Sequence, residues 1–166
     1  MMRNRKVRRG TILVEAAFVY PVLFLIVLAI ILLGLSVFRY QQVAHISREA
    51  SRWASVHGTL YAKERTASGT PTTAATPQDV YDNAIVPYAA GMQAEGITYS
   101  VTWNTDANGN PIKTPTRIIQ VVDSATGLTK DAAVSNTVTV TVTYTWNTGL
   151  FGTLPVSSTS VNTISY

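Results

Sequence analysis

The chain has 166 residues, a net charge of +4 and no cysteine. The lack of cysteine excludes disulfides, a thiol nucleophile and cysteine-type zinc sites. Eight basic and nine acidic residues follow Gly10, so the excess positive charge belongs to the N-terminus and does not indicate a nucleic-acid-binding domain. The basic residues of this N-terminal segment are Arg3, Arg5, Lys6, Arg8 and Arg9.

An uncharged apolar stretch, residues 16–38, follows shortly after the basic segment. As an α-helix it would rise about 35 Å, which is enough to cross a hydrocarbon core of about 30 Å. It is longer than the roughly 7–15 apolar residues of a cleaved secretory signal. Because basic residues mark the cytoplasmic side of a span, we predict that residues 1–10 form a leader on the cytoplasmic side of the membrane. The single transmembrane helix is predicted over 11–38, with the rest of the chain outside.

The helical pattern continues beyond the span, over residues 39–57. Apolar residues spaced by three or four form a stripe along it, namely Val43, Ile46, Ala50 and Trp53. Such a stripe predicts packing against a core. We expect Gly58 to end the helix.

Two groups of polar side chains on this helix are candidates for a metal site or a catalytic nucleophile. His45 and His57 lie twelve residues apart without a third ligand in the pattern, so we expect no metal site. The serines at spacing four have no general base beside them, and we expect small packing or solvated positions at Ser47, Ser51 and Ser55. The sequence also has no phosphate-binding loop or carboxylate pair, so it predicts no cofactor and no catalytic residue.

Residues 58–77 are predicted to form a linker, because their second half is rich in Thr, Ala, Ser, Gly and Pro. A helix-start signature follows it. Thr76 is the cap, Pro77 is the first helical residue, and Asp79 closes a capping box. Pro87 is expected to kink this short helix or end it early.

The apolar period changes to two from Ile97 onwards. Strands are predicted over 97–103, 117–123, 138–146 and 156–166, with a turn at Asn108-Gly109. Valines alternate with threonines in the third strand, which predicts an antiparallel sheet with one packed face. The order of helices followed by strands indicates the α+β class. Residues 78–166 are therefore predicted to form a small α+β extracytoplasmic domain around one antiparallel sheet.

A single acidic residue, Glu15, stands at the start of the apolar helix. An ionised side chain at the bilayer centre costs roughly 2.5–3.5 kcal/mol on insertion scales, so such a residue usually has a partner and a function. Its position after the basic segment and the glycine is the most informative feature of the chain.

These residues resemble a class III, type IV pilin-like signal. The resemblance rests on Arg8-Arg9-Gly10, on Glu15 five residues beyond the glycine, and on the long apolar helix. In that group a prepilin peptidase cuts after the glycine, which implies Gly10 and Thr11 as the processing site. Glu15 then takes the place of the glutamate at the fifth mature position.

The wider pattern is similar to the TadE-like proteins, minor pseudopilins of tight-adherence (Flp) pili. The shared features are Val14-Glu15, the early Pro21, the helix from Gln41-Gln42 to Ala54 with Arg48 and Arg52, and the strand Val140–Tyr144. This resemblance implies a role in pilus assembly or initiation, with other pilin subunits, the assembly platform and membrane lipid as partners. It implies no catalysis by this chain.

Cleavage after Gly10 would create a free amine on Thr11, with a reference pKa of about 7.7–8.0. Glu15 lies about 6 Å deeper along the helix axis. We hypothesise that its carboxylate neutralises the amine of a neighbouring subunit and so sets the axial register between helices. The alternative is an uncleaved tether, whose span anchors an extracytoplasmic binding module.

Overall fold

The computed structural model describes residues 8–122, 127–149 and 152–165, and of Arg8, Arg9 and Thr11 it describes only the backbone. Within these ranges the chain forms a long helix, short helices and five strands. The predicted α+β class is confirmed. The chain divides into two compact units, residues 1–39 and residues 40–166, and each is described by itself.

Helix α1 extends from Arg8 to Val56. The predicted end at Gly58 is confirmed, because the last hydrogen bond of this pattern joins the His57 amide to the Trp53 carbonyl at 3.1 Å. A second helix, α2, follows immediately as Thr59–Ala67. The first half of the predicted linker 58–77 is therefore helical, which corrects the sequence prediction.

Backbone hydrogen bonds attach the predicted linker to the rest of the second unit. The Thr59 amide donates to the Lys113 carbonyl at 2.9 Å, and the Ala75 amide donates to the His57 carbonyl at 2.9 Å. Ala62 of α2 is buried. Helix α2 is mostly polar, so apolar periodicity does not predict it. These tertiary contacts stabilise it instead.

The short helix α3, Pro77–Val80, begins with the predicted capping box. The Thr76 hydroxyl accepts a hydrogen bond from the Asp79 amide, and the Asp79 carboxylate accepts one from the Thr76 amide. A π-helical turn over Tyr81–Ile85 and a 3-10 turn over Val86–Tyr88 follow. The α-helix therefore ends at Val80, before Pro87, and Pro87 lies inside the final 3-10 turn. The predicted early end is present, but Pro87 is not where the α-helix stops.

The strands form two antiparallel sheets rather than the single sheet that we predicted. Their bounds are β1 Ile97–Trp103, β2 Thr116–Val122, β3 Thr129–Ser135, β4 Thr137–Asn147 and β5 Thr153–Thr163. The larger sheet has the order β1-β4-β5, and β2 pairs with β3 alone. Strand β3 was not predicted because it contains Lys130, Asp131 and two alanines, residue types depleted in strands.

The predicted turn between the first two strands is confirmed. Asp106 Oδ1 accepts hydrogen bonds from the amides of Asn108 at 2.9 Å and Asn110 at 2.8 Å. Gly109 has φ 82°, a conformation that L side chains rarely adopt. The turn does not join a hairpin of one sheet, because β1 and β2 belong to different sheets.

The core lies between the second part of α1 and the β1-β4-β5 sheet. The valines of β4 alternate inward as predicted, and Val138, Val140 and Val142 are almost completely buried. Facing residues of α1 are buried with them, namely Val43, Ile46, Ala50 and Ala54. Trp53, which we predicted as core, is half-buried and packs against this cluster.

Shortening Ile46 to alanine tests the contact between α1 and the sheet. Ile46 is 1% exposed and Ile118 is 72% exposed. We expect Ile46→Ala to lower the free energy of unfolding by about 2–5 kcal/mol, because it leaves a cavity. Ile118→Ala is the matched control and should change it by about 0.5 kcal/mol or less. Tryptophan fluorescence during urea unfolding reports on this unit, because Trp53, Trp103 and Trp146 all lie in it. Equal losses in the two variants would contradict the assigned core.

The capping box predicts a pH dependence of stability. The pKa of Asp79 is lowered because the side chain and backbone of Thr76 donate hydrogen bonds to its carboxylate. A carboxyl group with a lowered folded-state pKa stabilises the fold fully above its unfolded pKa of about 3.9, and this contribution is lost as the pH falls through the folded pKa.

Asp79→Asn should therefore be less stable than the natural chain at pH 7, and the difference should shrink below about pH 4. Thr76→Ala removes the same box from its other side and should cost about 0.5–2 kcal/mol at pH 7. Urea unfolding at a series of pH values measures both. A difference that widens on acidification would contradict this assignment.

Candidate functional site

The first unit contains a helical segment whose apolar side chains have no cover. In the described part of this unit, the large apolar side chains from Ile12 to Phe38 are 43–75% exposed, apart from the half-buried Leu28 and Leu32. The helix is long and apolar enough to cross a membrane, and the most apolar part of it is unburied. Burying apolar surface is the main favourable term in folding, so this segment requires lipid or other apolar helices around it.

Glu15 lies on the exposed surface of this apolar segment. No hydrogen bond or ion pair of the described side chains reaches its carboxylate, so the partner that its position requires is not among them. Thr11 and Glu15 are four residues apart, and positions i and i+4 of an α-helix lie on the same face. A terminal amine at Thr11 and the carboxylate of Glu15 would therefore line one side of α1.

Gly10 lies within the first turn of α1 and is exposed. A Cβ atom built there meets nothing within 4 Å, and Gly10 is not among the glycines with positive φ. Packing and backbone conformation within the described chain therefore give no reason for glycine at this position. The amides of a first helical turn lack partners inside the helix, so this turn is the part of α1 that unwinds most easily.

The remaining leader residues are placed differently. Arg3, Arg5 and Lys6 lie outside the described residues. Arg8 and Arg9 form the first two residues of α1 by their backbone. The structure thus brings Gly10, Thr11 and Glu15 onto two consecutive turns of one helix.

Two other residues affect the backbone of the apolar segment. Pro21 has no amide hydrogen, so the carbonyl of Ala17 loses its usual helical donor. Ser36 donates a hydrogen bond from its hydroxyl to the carbonyl of Leu32 at 2.9 Å. The carbonyl at Ala17 lies half a turn beyond Glu15.

The serines at spacing four lie in the contact between α1 and β5. Ser47 Oγ is 3.1 Å from Ser158 Oγ, and Ser51 Oγ is 2.9 Å from Ser160 Oγ. The Ser55 carbonyl accepts a hydrogen bond from the Ser165 amide at 3.0 Å. All three helix serines are at most 5% exposed. The sequence left open whether these serines are packing positions or solvated positions. The structure supports packing positions.

The two histidines contact aromatic rings. The His57 ring stacks on Trp53 with centroids 3.9 Å apart, and the His45 ring lies 5.8 Å from that of Tyr88. In the described ranges, no three His, Asp or Glu side chains cluster as metal ligands would. Their observed role is aromatic packing.

A polar groove beside α1 was missed by the sequence analysis. It contains Trp53, His57 and Tyr61 on one side and Asp79 and Asn83 on the other. The spacing of four between the aromatic residues was a usable signal. The spacing alone does not predict one continuous row, because Gly58 ends α1 and tertiary contacts place Tyr61 of α2 next to His57.

Comparison with known proteins identifies the N-terminal segment. The sequence model of the family described as TadE-like protein matches residues 10–52. No curated protein and no solved structure matches the chain. The matched residues begin at Gly10 and include Glu15, Pro21, Arg48 and Arg52. The predicted resemblance to the TadE-like proteins is thus confirmed over residues 10–52 of this chain.

Proposed function

We propose that this chain is a membrane-anchored, non-enzymatic pseudopilin that takes part in assembly or initiation of a tight-adherence (Flp, Tad) pilus. The observation that carries the proposal is the coincidence of two features over the same residues. The TadE-like match covers residues 10–52, and the apolar, uncovered part of α1 lies inside that range. The apolar surface of such a helix is covered either by lipid or by other helices. In a pilin it is covered by lipid before assembly and by neighbouring helices afterwards.

The charge distribution supports an orientation for the anchor. The basic leader residues lie on one side of the apolar segment, and basic residues mark the cytoplasmic side of a span. We place the leader in the cytoplasm and residues 40–166 outside the bacterial cytoplasmic membrane. The second unit has its own core, which allows it to fold after export.

The properties of Gly10 support processing at the Gly10–Thr11 bond. Glycine in a helix costs about 1 kcal/mol relative to alanine, and no described contact requires its small size. Recognition by a prepilin peptidase, which acts on the chain from outside, explains why residue 10 is glycine. Fraying of the first turn would deliver this bond to the enzyme in an extended form.

The position of Glu15 supports pairing between subunits. An exposed carboxylate on an apolar helix is unfavourable in lipid unless a cation neutralises it. The Thr11 amine of the same helix lies on the same face, and that of a neighbour would be reached by an axial shift of about 6 Å. We propose that the intersubunit pair forms and sets the stagger of packed helices.

An uncleaved tether is the second candidate. One observation favours it, since the TadE-like match ends at residue 52 while the compact unit continues to residue 166. A tether would keep its leader, whereas a pseudopilin of the proposed kind would lose it. The N-terminus of the mature protein separates the two functions.

The processing site predicts a defined N-terminus. Mass spectrometry of the membrane-extracted protein should find Thr11 as the first residue. Gly10→Val should retain the leader, because a branched side chain at the scissile position obstructs the peptidase. Gly34→Val is the matched control in the same helix, where a Cβ also meets nothing within 4 Å, and it should be processed normally. An intact leader on the natural protein would favour the tether.

The pairing hypothesis predicts a loss of assembly without a loss of processing. Glu15→Gln removes the charge and keeps the shape, so the variant should be inserted and cleaved normally. Breaking a buried ion pair costs about 3–5 kcal/mol, and we expect copurification with partner pilins to fall at least about tenfold. Glu49→Gln, in the second part of α1, should have no such effect. Normal copurification of the Glu15 variant would refute the pairing.

A further inference from the structure

The polar groove of the second unit is separate from the N-terminal site. It consists of two adjoining clefts of about 290 and 320 Å³ that share Trp53, His57 and Asn83. Each volume lies near the lower end of the roughly 300–1,000 Å³ typical of ligand sites. The groove lies between the last turns of α1, helix α2 and the α3 region, and it is open to solvent.

One wall of the groove is a row of aromatic rings. The Trp53 and His57 rings are nearly parallel, at 13°, and the Tyr61 ring meets His57 edge-on with centroids 4.5 Å apart. The His57 Nδ1 atom lies 2.8 Å from the Trp53 carbonyl, which fixes the ring. All three residues are half-buried. Stacking covers the facing sides of the Trp53 and His57 rings, so the wall offers a ligand only the ring faces and edges that the stack leaves uncovered.

The opposite wall presents hydrogen-bond acceptors whose positions are set by the backbone. The Asp79 carboxylate is fixed by two hydrogen bonds from Thr76, both to Oδ2. The Asn83 amide nitrogen donates to the Asp79 carbonyl at 2.8 Å. The hydrogen bonds of the described residues leave the Oδ1 atoms of Asp79 and Asn83 available. The hydroxyls of Thr72 and Thr73 line the same cleft.

The acceptor oxygens of one wall and the aromatic rings of the other together restrict the kind of ligand that the groove can bind. Acceptor oxygens require a ligand with several O–H or N–H donors, and the ring wall requires an apolar C–H face. The Asp79 carboxylate repels anions, whereas Glu49 is paired at 3.6 Å with Arg52, which lines the same cleft. The hydroxyl and amide lining disfavours a purely apolar molecule. A bound metal ion is also disfavoured, because no three His, Asp or Glu side chains converge in the described residues as metal ligands would. We propose that the groove binds a neutral saccharide, with a sugar face on the aromatic row and its hydroxyls on Asp79 and Asn83.

Binding is tested with the full chain in phosphatidylcholine nanodiscs, which contain no sugar detergent. A glycan array carrying neutral and sialylated oligosaccharides is the first probe. We expect binding to at least one neutral glycan. Titration of that glycan, followed by tryptophan fluorescence, should give an affinity that falls roughly three- to tenfold in Asn83→Ala, as expected for one lost hydrogen bond.

Two further variants make the result specific. Tyr61→Leu removes a ring from the wall and should weaken binding by a similar factor. Asn108→Ala, in the exposed turn after β1, is the matched control and should bind like the natural chain. Circular dichroism melting checks that each variant is folded.

Four outcomes would overturn the proposal. They are no bound neutral glycan, binding restricted to sialylated glycans, glycan binding that leaves the tryptophan fluorescence unchanged, and affinities of folded Asn83→Ala and Tyr61→Leu that equal the affinity of the natural chain. The first would leave the proposed pseudopilin role untouched, because processing at Gly10 and pairing at Glu15 do not involve the groove.

Discussion

The packing of α1 against the β1-β4-β5 sheet is the contact on which the second unit depends. The three strands contain no charged residue, and the inward face of β4 is a row of valines and a tyrosine. Left in water, that face would be unfavourable by about 25 cal/mol for each Å² of apolar surface. Helix α1 covers it with Val43, Ile46, Ala50 and Ala54. A cap, a turn or a groove has a defined position only once this contact has formed.

The serines of α1 affect how closely, and at which axial position, the helix packs on the sheet. Small side chains at Ser47 and Ser51 let the helix approach β5, and their hydroxyls meet those of Ser158 and Ser160. A hydroxyl buried without a partner would cost about 1–3 kcal/mol. Because Ser47 and Ser51 also donate to the carbonyls of Ala44 and Arg48 within α1, a slide of the helix would remove these partners from the hydroxyls of β5 rather than leave the helix hydroxyls unpaired.

A single helix thus meets two different requirements in its two parts. Up to residue 38 most of its large side chains are exposed, as expected for a helix surrounded by lipid or by other helices. From residue 40 its surface divides into a buried stripe and a polar side. The first part places Glu15 on an apolar surface, where none of the described side chains pairs with it. The polar groove depends on the second, because both of its walls come from the same folded unit.

Much of the fold could be read from periodicity. The 3.6-residue stripe of α1 and the two-residue alternation of β4 identify the surfaces that pack together, and Thr76, Pro77 and Asp79 identify a helix start by local hydrogen bonding. Helix α2 and strand β3 could not be predicted this way. Both are polar, and partners distant in sequence hold them, such as Lys113 for Thr59 and Arg117 for Val134.

The sequence by itself determined the membrane-type helix, the TadE-like start and the position of Glu15. These features depend on residue type and on spacing along one helix, and no distant contact is needed to define them. The tertiary structure decided the separation of β2 and β3 from the main sheet, the burial of the serines and the joining of Trp53, His57 and Tyr61 with Asp79 and Asn83. Those arrangements bring together residues tens of positions apart, and local propensity does not encode which of them meet.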